Sequence, residues 1–481
     1  MNRRLLIVCA VMFLVAMAVP AFAAVQNVKV SGDIDAKWII RDNFSLGQES
    51  STFVGSKDNQ NYLNTIARVR VDADLTDNVS ATVRLLNERD WSDEGSTGTS
   101  SSSAGATGDT SVYLDLAYVT LKEMLYSPLT VIIGRQNLRY GNAFIIGDPD
   151  TNRLAAARSG VQARDLSARK AFDAIRMILN YDPLVVDIIY SKIGAGAIRS
   201  TASVDSTKDD IDLYGINANY KLGDKYNTVA EAYLFTKKDN NTTAGIAGTK
   251  GDTIYNPGVR VSTNPIKGLN LQGEVAWQRG SKAGASGAST VDDNRKREAM
   301  AWQAIVTYAL QVEKLMKYSP VAGLEYTHYS GDKNPGRTGA AQVGKDTYRQ
   351  WDPMFEDQAG GKIYNVLFQA TDDNIFNANV SFKPIEDVSL RLDWTTLYLD
   401  QKLDTTTAMT LYQTGGNSFS ATMNTDKDHL GQEIDALLTY DYTEDVQFGL
   451  NVGIFVPGKA FTKPVSKKNA SQAIASCKVV F

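Results

Sequence analysis

Ala67-Arg68-Val69-Arg70-Val71-Asp72-Ala73-Asp74-Leu75, then Thr76-Asp77-Asn78, then Val79-Ser80-Ala81-Thr82-Val83-Arg84-Leu85, is the stretch that decides the fold. In the first run every odd position is apolar and every even one is charged. A period of two is that of a β-strand with one face on an apolar phase and the other on a polar one. The second run repeats the pattern, and the turn-prone residues between them leave room only for a hairpin. Both apolar faces then fall on the same side.

The pattern recurs to the end of the chain. Leu269, Leu271, Val275 and Trp277 alternate with Asn270, Gln272, Glu274 and Gln278; Val388, Leu390, Leu392 and Trp394 alternate with Ser389, Arg391, Asp393 and Thr395; Val446 to Ile454 does the same. Connections alternate between short and long. The short ones hold turn residues such as Tyr181-Asp182-Pro183 and Lys383-Pro384, where a residue that cannot donate to a ladder is tolerated. The long ones, for example 92–110, 194–209, 239–251 and 280–294, are rich in Gly, Ser, Thr and Asn, the composition of solvated loops. Counting in this way predicts nine hairpins, hence eighteen strands, with sixteen as the alternative.

A secreted all-β sandwich or propeller also alternates. Three features favour a membrane barrel. Charges sit at mid-strand on the polar face, and the other face is free of them in the clearest strands. Aromatic residues gather near strand ends (Trp38, Phe44, Tyr126, Tyr181, Tyr190, Tyr220, Trp277, Tyr318, Trp394, Tyr398, Tyr440 and Tyr442), as interfacial girdles require. No blade or domain period emerges. The fold class is therefore all-β, a single closed antiparallel transmembrane β-barrel with short periplasmic turns and long extracellular loops, over residues 24–481. An open edge is forbidden in lipid, so residues 28–41 must pair with 471–481. The predicted lumen carries Arg68, Arg70, Asp72, Asp74, Arg84, Asp115, Glu231, Glu274, Arg391, Asp393, Glu433 and Asp435. Ladders of both signs of this kind pair with one another and stiffen the wall.

Residues 1–23 read as a signal peptide: Arg3 and Arg4, an apolar run from Leu5 to Val19, then Ala21-Phe22-Ala23 as a small-x-small cleavage site. The apolar run is shorter than the ~20 residues of a membrane-spanning helix. The net charge of −4 offers no basic surface to nucleic acid. Of two cysteines, Cys9 leaves with the signal and Cys477 has no partner, so no disulfide framework forms. The two histidines, His328 and His429, are each isolated among polar residues, and no nucleophile, phosphate-loop, dinucleotide or zinc motif is present. No metal site, cofactor or catalytic residue is expected. The chain then works as a channel, with an outer-membrane enzyme or adhesin scaffold as the alternative.

One connection differs from the rest. Residues 137–170 hold Arg139, Arg153, Arg158, Arg164, Arg169 and Lys170 against Asp148, Asp150 and Asp165, with Arg135 at the root. Guanidinium groups bind carboxylate and phosphate bidentately and stay charged at all working pH values. We expect this segment to fold inward, and Arg135, Arg139, Arg153, Arg158, Arg164 and Arg169 to form an anion-binding constriction. The alternative is a surface loop whose arginines meet neighbouring acids or lipopolysaccharide phosphates.

Several motifs have a family likeness. Gly134-Arg135-Gln136 with Tyr140-Gly141, Ala171-Phe172-Asp173-Ala174-Ile175-Arg176, Trp351-Asp352-Pro353-Met354-Phe355, and Leu430-Gly431-Gln432-Glu433-Ile434-Asp435 through to Phe455-Val456-Pro457-Gly458 resemble the outer-membrane alginate export family. The resemblance runs from about residue 60 to the end. It implies a monomeric eighteen-stranded barrel in the outer membrane of a Gram-negative-type bacterium, passing hydrophilic, anionic solutes without a cofactor. It also implies insertion by the outer-membrane assembly machinery, for which a final Phe481 is typical. The chain departs from the family pattern after Tyr140-Gly141, where Asn142-Ala143-Phe144 replaces an acid followed by an arginine.

Overall fold

The computed structural model describes residues 27–47, 59–91, 112–150, 163–194, 211–239, 252–282, 295–333, 347–403, 408–412, 418–462 and 468–481. The signal-peptide expectation for residues 1–23 lies outside them. The first strands are β1 (Asn27–Asp42), β2 (Gln60–Thr76), β3 (Val79–Asp90), β4 (Tyr113–Lys122), β5 (Leu129–Asn137), β6 (Ala171–Asn180) and β7 (Leu184–Gly194). Next come β8 (Ile211–Lys221), β9 (Val229–Asp239), β10 (Asp252–Ile266), β11 (Leu269–Lys282), β12 (Arg295–Ala309) and β13 (Val321–Tyr329). A two-residue strand, β14 (Thr347–Tyr348), precedes β15 (Asp373–Ile385) and β16 (Val388–Leu399). The hairpin β17 (Ala408–Tyr412) and β18 (Ser418–Thr422) then leads to β19 (His429–Asp441), β20 (Val446–Pro457) and β21 (Ala470–Val480).

Leaving aside β14, which adds a short parallel pairing to β12, and the separate β17–β18 hairpin, each strand pairs antiparallel with the next one around the barrel. β13 pairs with β15 and β16 with β19. β1 pairs both with β2 and with β21, from Asp33 opposite Val480 to Asp42 opposite Ser471. The cylinder is closed with eighteen strands, and no edge is left for lipid to desolvate. At the seam the Gly32 amide donates to the Phe481 carbonyl at 2.7 Å, and the Phe481 amide returns a bond to Gly32 at 2.9 Å. A side chain at position 32 would begin 2.6 Å from the Phe481 ring, so glycine there makes room for the terminal aromatic.

The eighteen wall strands run from nine residues in β5 and β13 to seventeen in β2. About 9–11 tilted residues cross the hydrocarbon, so the longer strands project beyond it. Val69, Val71, Val83, Leu85, Leu324, Ile434 and Leu450 point outward and are exposed, the arrangement lipid covers in a barrel. No helix among the described residues is long and apolar enough to cross a membrane. Phe44 departs from the girdle expectation. It is 3% exposed and packs among Ile363, Leu367 and Phe461, because the chain turns inward at Asn43–Gly47 and takes the ring with it.

Candidate functional site

On the turn side of the barrel the inward positions are polar. Toward the long loops they become apolar: Phe172 on β6, Ile189 on β7, Leu213 on β8, Phe235 on β9, Ile254 on β10 and Ala301 on β12 are buried. Two segments seat on this inner apolar surface. One is 138–148, whose Leu138, Phe144, Ile145 and Ile146 are at most 2% exposed. The other is 351–368, which contributes Trp351, Met354 and Phe355 to the same cluster. Trp351 stacks against Phe144 at 6.4 Å and packs beside Tyr329 at 6.3 Å. The two segments also share backbone bonds: Phe355 N–H donates to Ile145 O (3.0 Å), Gly147 N–H to Phe355 O (2.7 Å) and Asp357 N–H to Ala143 O (3.0 Å). They form one packed unit within the barrel.

Ion pairs fasten this unit and the neighbouring segment 163–170. The fully buried Arg41 of β1 donates to both carboxylate oxygens of Asp165, at 2.9 and 2.7 Å, and its Nε donates to Gln472 of β21. Such a fork-to-fork pair fixes direction as well as distance. Lys170 donates to Asp148 at 2.8 Å and to Asp357 at 2.9 Å. Burial alone would lower the Lys170 pKa, but the flanking carboxylates outweigh it and hold the ammonium above its ordinary value. Asp352 accepts from Lys237 on β9. Burial pushes its carboxyl up, yet Lys237 and Arg297 prevail and hold it down at about 2. Arg139 bonds Asp357 at 2.7 Å while its side chain stays 53% exposed.

A second inward contact is the short helix Ile363–Leu367, packed on Leu397, Leu430, Phe455 and Ala470 of β16, β19, β20 and β21. Its first amides, Ile363 and Tyr364, donate to the Glu433 carboxylate at 2.8 and 2.7 Å. Anions are stabilised at such ends by the unsatisfied N–H groups. Lys362 bridges Asp393 (3.3 Å) and Asp435 (3.1 Å). A cavity of about 100 Å³ lies between this segment and the wall, lined in part by Glu325, Glu356, Lys362, Asp373, Arg391 and Asp393.

Most of the inward wall charges named from the sequence are paired. Arg68 meets Asp33 (2.8 Å), Arg70 meets Asp72 (2.7 Å), Arg84 meets Asp115 (2.6 Å) and Arg391 meets Asp393 (2.8 Å). Glu231 accepts from Asn219 at 2.6 Å and Glu274 from Tyr233 at 2.7 Å, with Arg260 between the two acids. Asp74 follows Asp72 on the same inward face of β2. Gly141, at φ +52°, brings its turn over Arg260, where a β-carbon would lie 3.0 Å from Cδ. The turn is held by Asn142, whose amide donates to Gln272 (2.9 Å) and whose oxygen accepts from Arg260 (3.2 Å).

The arginines of the 135–170 segment do not gather in one ring. Arg139 reaches Asp357, Arg169 lies 4.3 Å over the Tyr113 ring, and Arg164 lies in a single 3₁₀ turn. Arg153 and Arg158 lie outside the described residues. Arg135 lies opposite Asp173 in register, on the outward face that carries Ile133 and Ile175. Its position in the strand sends it there: Gln136, its neighbour, takes the inward side. Reading the sequence alone missed Arg41, Arg260, Lys362 and also Arg176 of β6, which donates to Asp187 of β7 at 2.8 Å. Arg41 and Arg260 belong to alternating runs and were recoverable in principle; nothing local marks Lys362.

A closed eighteen-stranded barrel, apolar outside and polar inside, with chain folded into its lumen, defines an outer-membrane channel of the porin type. The chain belongs to the alginate export family, whose match covers residues 37–474. No curated protein matches it in sequence. Among solved structures it is similar to three barrels of Pseudomonas aeruginosa. OccK3 (OpdO) has 9% identity over 95% of this chain and 97% of its own, with a TM-score of 0.52. OpdQ has 13% identity over 95% and 99%, with a TM-score of 0.51. OccK2 (OpdF), solved in complex with glucuronate, has 10% identity over 95% and 99%, with a TM-score of 0.51. At such identities the likeness is one of fold. The protein is an outer-membrane protein of the Gram-negative type, embedded in the bilayer, and a passive transport channel for hydrophilic solutes.

Proposed function

We propose that the unit formed by 138–148 and 351–368 is the constriction, and that it favours anionic solutes which cross without chemical change. The observation that carries this reading is Arg139. Its guanidinium is half exposed, whereas Arg41 and Lys170 are committed to buried or half-buried carboxylates. Arg391 and Arg70, also partly exposed on the inner wall, would continue the path toward the turn side. Arg153, Arg158, Arg164 and Arg169 belong to the proposal as further weak sites; Arg135 does not, because it faces outward. Weak successive sites suit transport, since a solute held tightly would not leave. The chain works in this reading as a single pore, inserted by the assembly machinery, and as a conduit rather than an enzyme.

The test is reconstitution in planar bilayers under a salt gradient. The reversal potential should show anion preference, reduced in Arg139→Gln. Glucuronate, the molecule held by OccK2, is a suitable blocker because it joins a carboxylate to hydroxyls. Cation preference, or no conductance, would refute the proposal.

A further inference from the structure

The outward face at the long-loop rim carries a feature the transport reading does not use. Register alone places Arg135, Asp173, Lys192, Asp212 and Lys238 side by side on β5 to β9. The same row continues through Thr253 and Ser281 to Lys296 on β12. All lie on the lipid side, as exposed Ile133, Tyr190, Leu234, Tyr255 and Met300 on the same strand faces show. Over β5 to β8 the charges alternate, with Arg135 bonded to Asp173 (3.1 Å) and Lys192 to Asp212 (3.0 Å).

The composition changes from β9 to β12. There the row reads Lys238, Thr253, Ser281, Lys296, with no carboxylate, and Lys238 has no acidic partner among the described residues. One pair step toward the membrane stands the exposed Arg279. One of its nitrogens, Nη1, donates to the carbonyls of Gln278 and Ala299. Beside it Glu298 is engaged by Lys296. Three strand-to-strand steps span about 14 Å. Within that width two ammonium groups, two hydroxyls and a guanidinium face the membrane. At the rim of β1 and β2, outward positions are instead apolar: Trp38, Ile40 and Leu63.

We propose that the Lys238–Thr253–Ser281–Lys296 row, with Arg279 beneath it, binds the phosphate groups of a phosphorylated glycolipid in the outer leaflet. Ammonium and guanidinium groups match phosphate charge, and Arg matches its geometry as well. The tyrosine row one step below (Tyr190 and Tyr214, tilted with ring centroids 5.2 Å apart, then Tyr255) marks the level where headgroups meet acyl chains. Headgroup phosphates then lie at the height of the cations.

The test uses the full chain purified in detergent and titrated with bisphosphorylated lipid A, its dephosphorylated form, or inorganic phosphate. Bound lipid is counted by native mass spectrometry. Phosphorylated lipid A should bind at least tenfold more tightly than the dephosphorylated form, and excess inorganic phosphate should not displace it. Lys238→Gln/Arg279→Gln/Lys296→Gln should lose tenfold or more, whereas Lys402→Gln/Lys427→Gln/Lys459→Gln at another rim position should not. Lys238→Arg guards against misfolding and should retain binding. Equal binding of both lipids, displacement by free phosphate, or equal loss in both triple variants would overturn the assignment. Anion preference in planar bilayers should be unchanged in the first triple variant, so this result and the channel test fail separately.

Discussion

The wall and the unit inside it are built by opposite rules from one chain. In the wall, Val69, Val83 and Leu450 face outward and are exposed, and cohesion comes from ladders of backbone hydrogen bonds around a closed cylinder. In the inner unit, Phe144, Ile146 and Trp351 are as buried as the core of a soluble domain, and the Arg41–Asp165 pair of the adjoining 163–170 segment sits where water is scarce. The wall has no edge to lose, so damage to one side chain stays local. The inner unit depends on particular contacts, so damage should detach it while the cylinder remains.

The largest expected effect follows from that contrast. Phe144→Ala removes a ring fully enclosed by Trp351 and Tyr329. Buried Phe→Ala changes cost about 3–5 kcal/mol, and here the loss should fall on the inner unit alone. Single-channel conductance should rise and become noisy, while the temperature at which the barrel unfolds on a gel stays within a few degrees. A collapse of barrel stability with no change in conductance would break the contrast. Next comes Arg41→Met, which takes the guanidinium from buried Asp165. Breaking a buried pair on one side costs about 3–5 kcal/mol, and here the Gln472 oxygen loses its Arg41 donor as well. Amides of 163–170 should exchange hydrogen faster in the variant; unchanged protection would show that the pair does not hold the segment.

The same contrast explains what could be read from the sequence. Period two marks a strand because successive side chains must leave opposite faces, so the hairpins and their number followed from local pattern, and the pairing of the terminal segments from the ban on an open edge in lipid. Strand tops already weaken that pattern. At Tyr233-Leu234-Phe235 apolar residues occupy both faces, since the inner one receives a loop and the outer one lipid. That doubling is a usable signal for seated loops. The partners were not legible. Arg41 and Asp165 are 124 residues apart, and Arg139 meets an acid on a segment recognised only as a motif. Contacts of this kind depend on where two irregular segments come to rest, and irregular segments have no period. Arg135 shows the converse error. Membership in an arginine-rich stretch implied a common site, but its place in the β5 ladder decided its direction.

A third prediction concerns the rim, where Asp372 precedes β15. Burial raises its carboxyl pKa to about 8, Asp400 and Asp332 add to the shift, and the Gln401 amide partly offsets it. The folded value therefore lies above the unfolded one of ~4. Its contribution is fully present below about pH 4 and is lost as pH rises through about 8. Heating experiments should show the wild type weakening across that interval, and Asp372→Asn, which can still accept from Gln401, should flatten the profile. A profile of identical slope in both would refute the assignment to Asp372.

The smallest effect is expected in the wall, and its smallness is the point. Arg70 and Asp72 form a pair whose side chains are 38% and 33% exposed, two residues apart on one strand. Exposed pairs contribute roughly 0–1 kcal/mol, far less than the backbone ladder that β2 shares with β1 and β3. Arg70→Gln should leave the unfolding temperature unchanged within error. It still removes a positive charge from the inner face while Asp72 keeps its bond from Thr82 at 2.6 Å. The ratio of anion to cation permeability should therefore fall slightly, by less than in Arg139→Gln, because Arg70 lies on the open side of the constriction. If Arg70→Gln shifts selectivity more than Arg139→Gln, the narrowest ring belongs to the wall, and the inner unit is only packing.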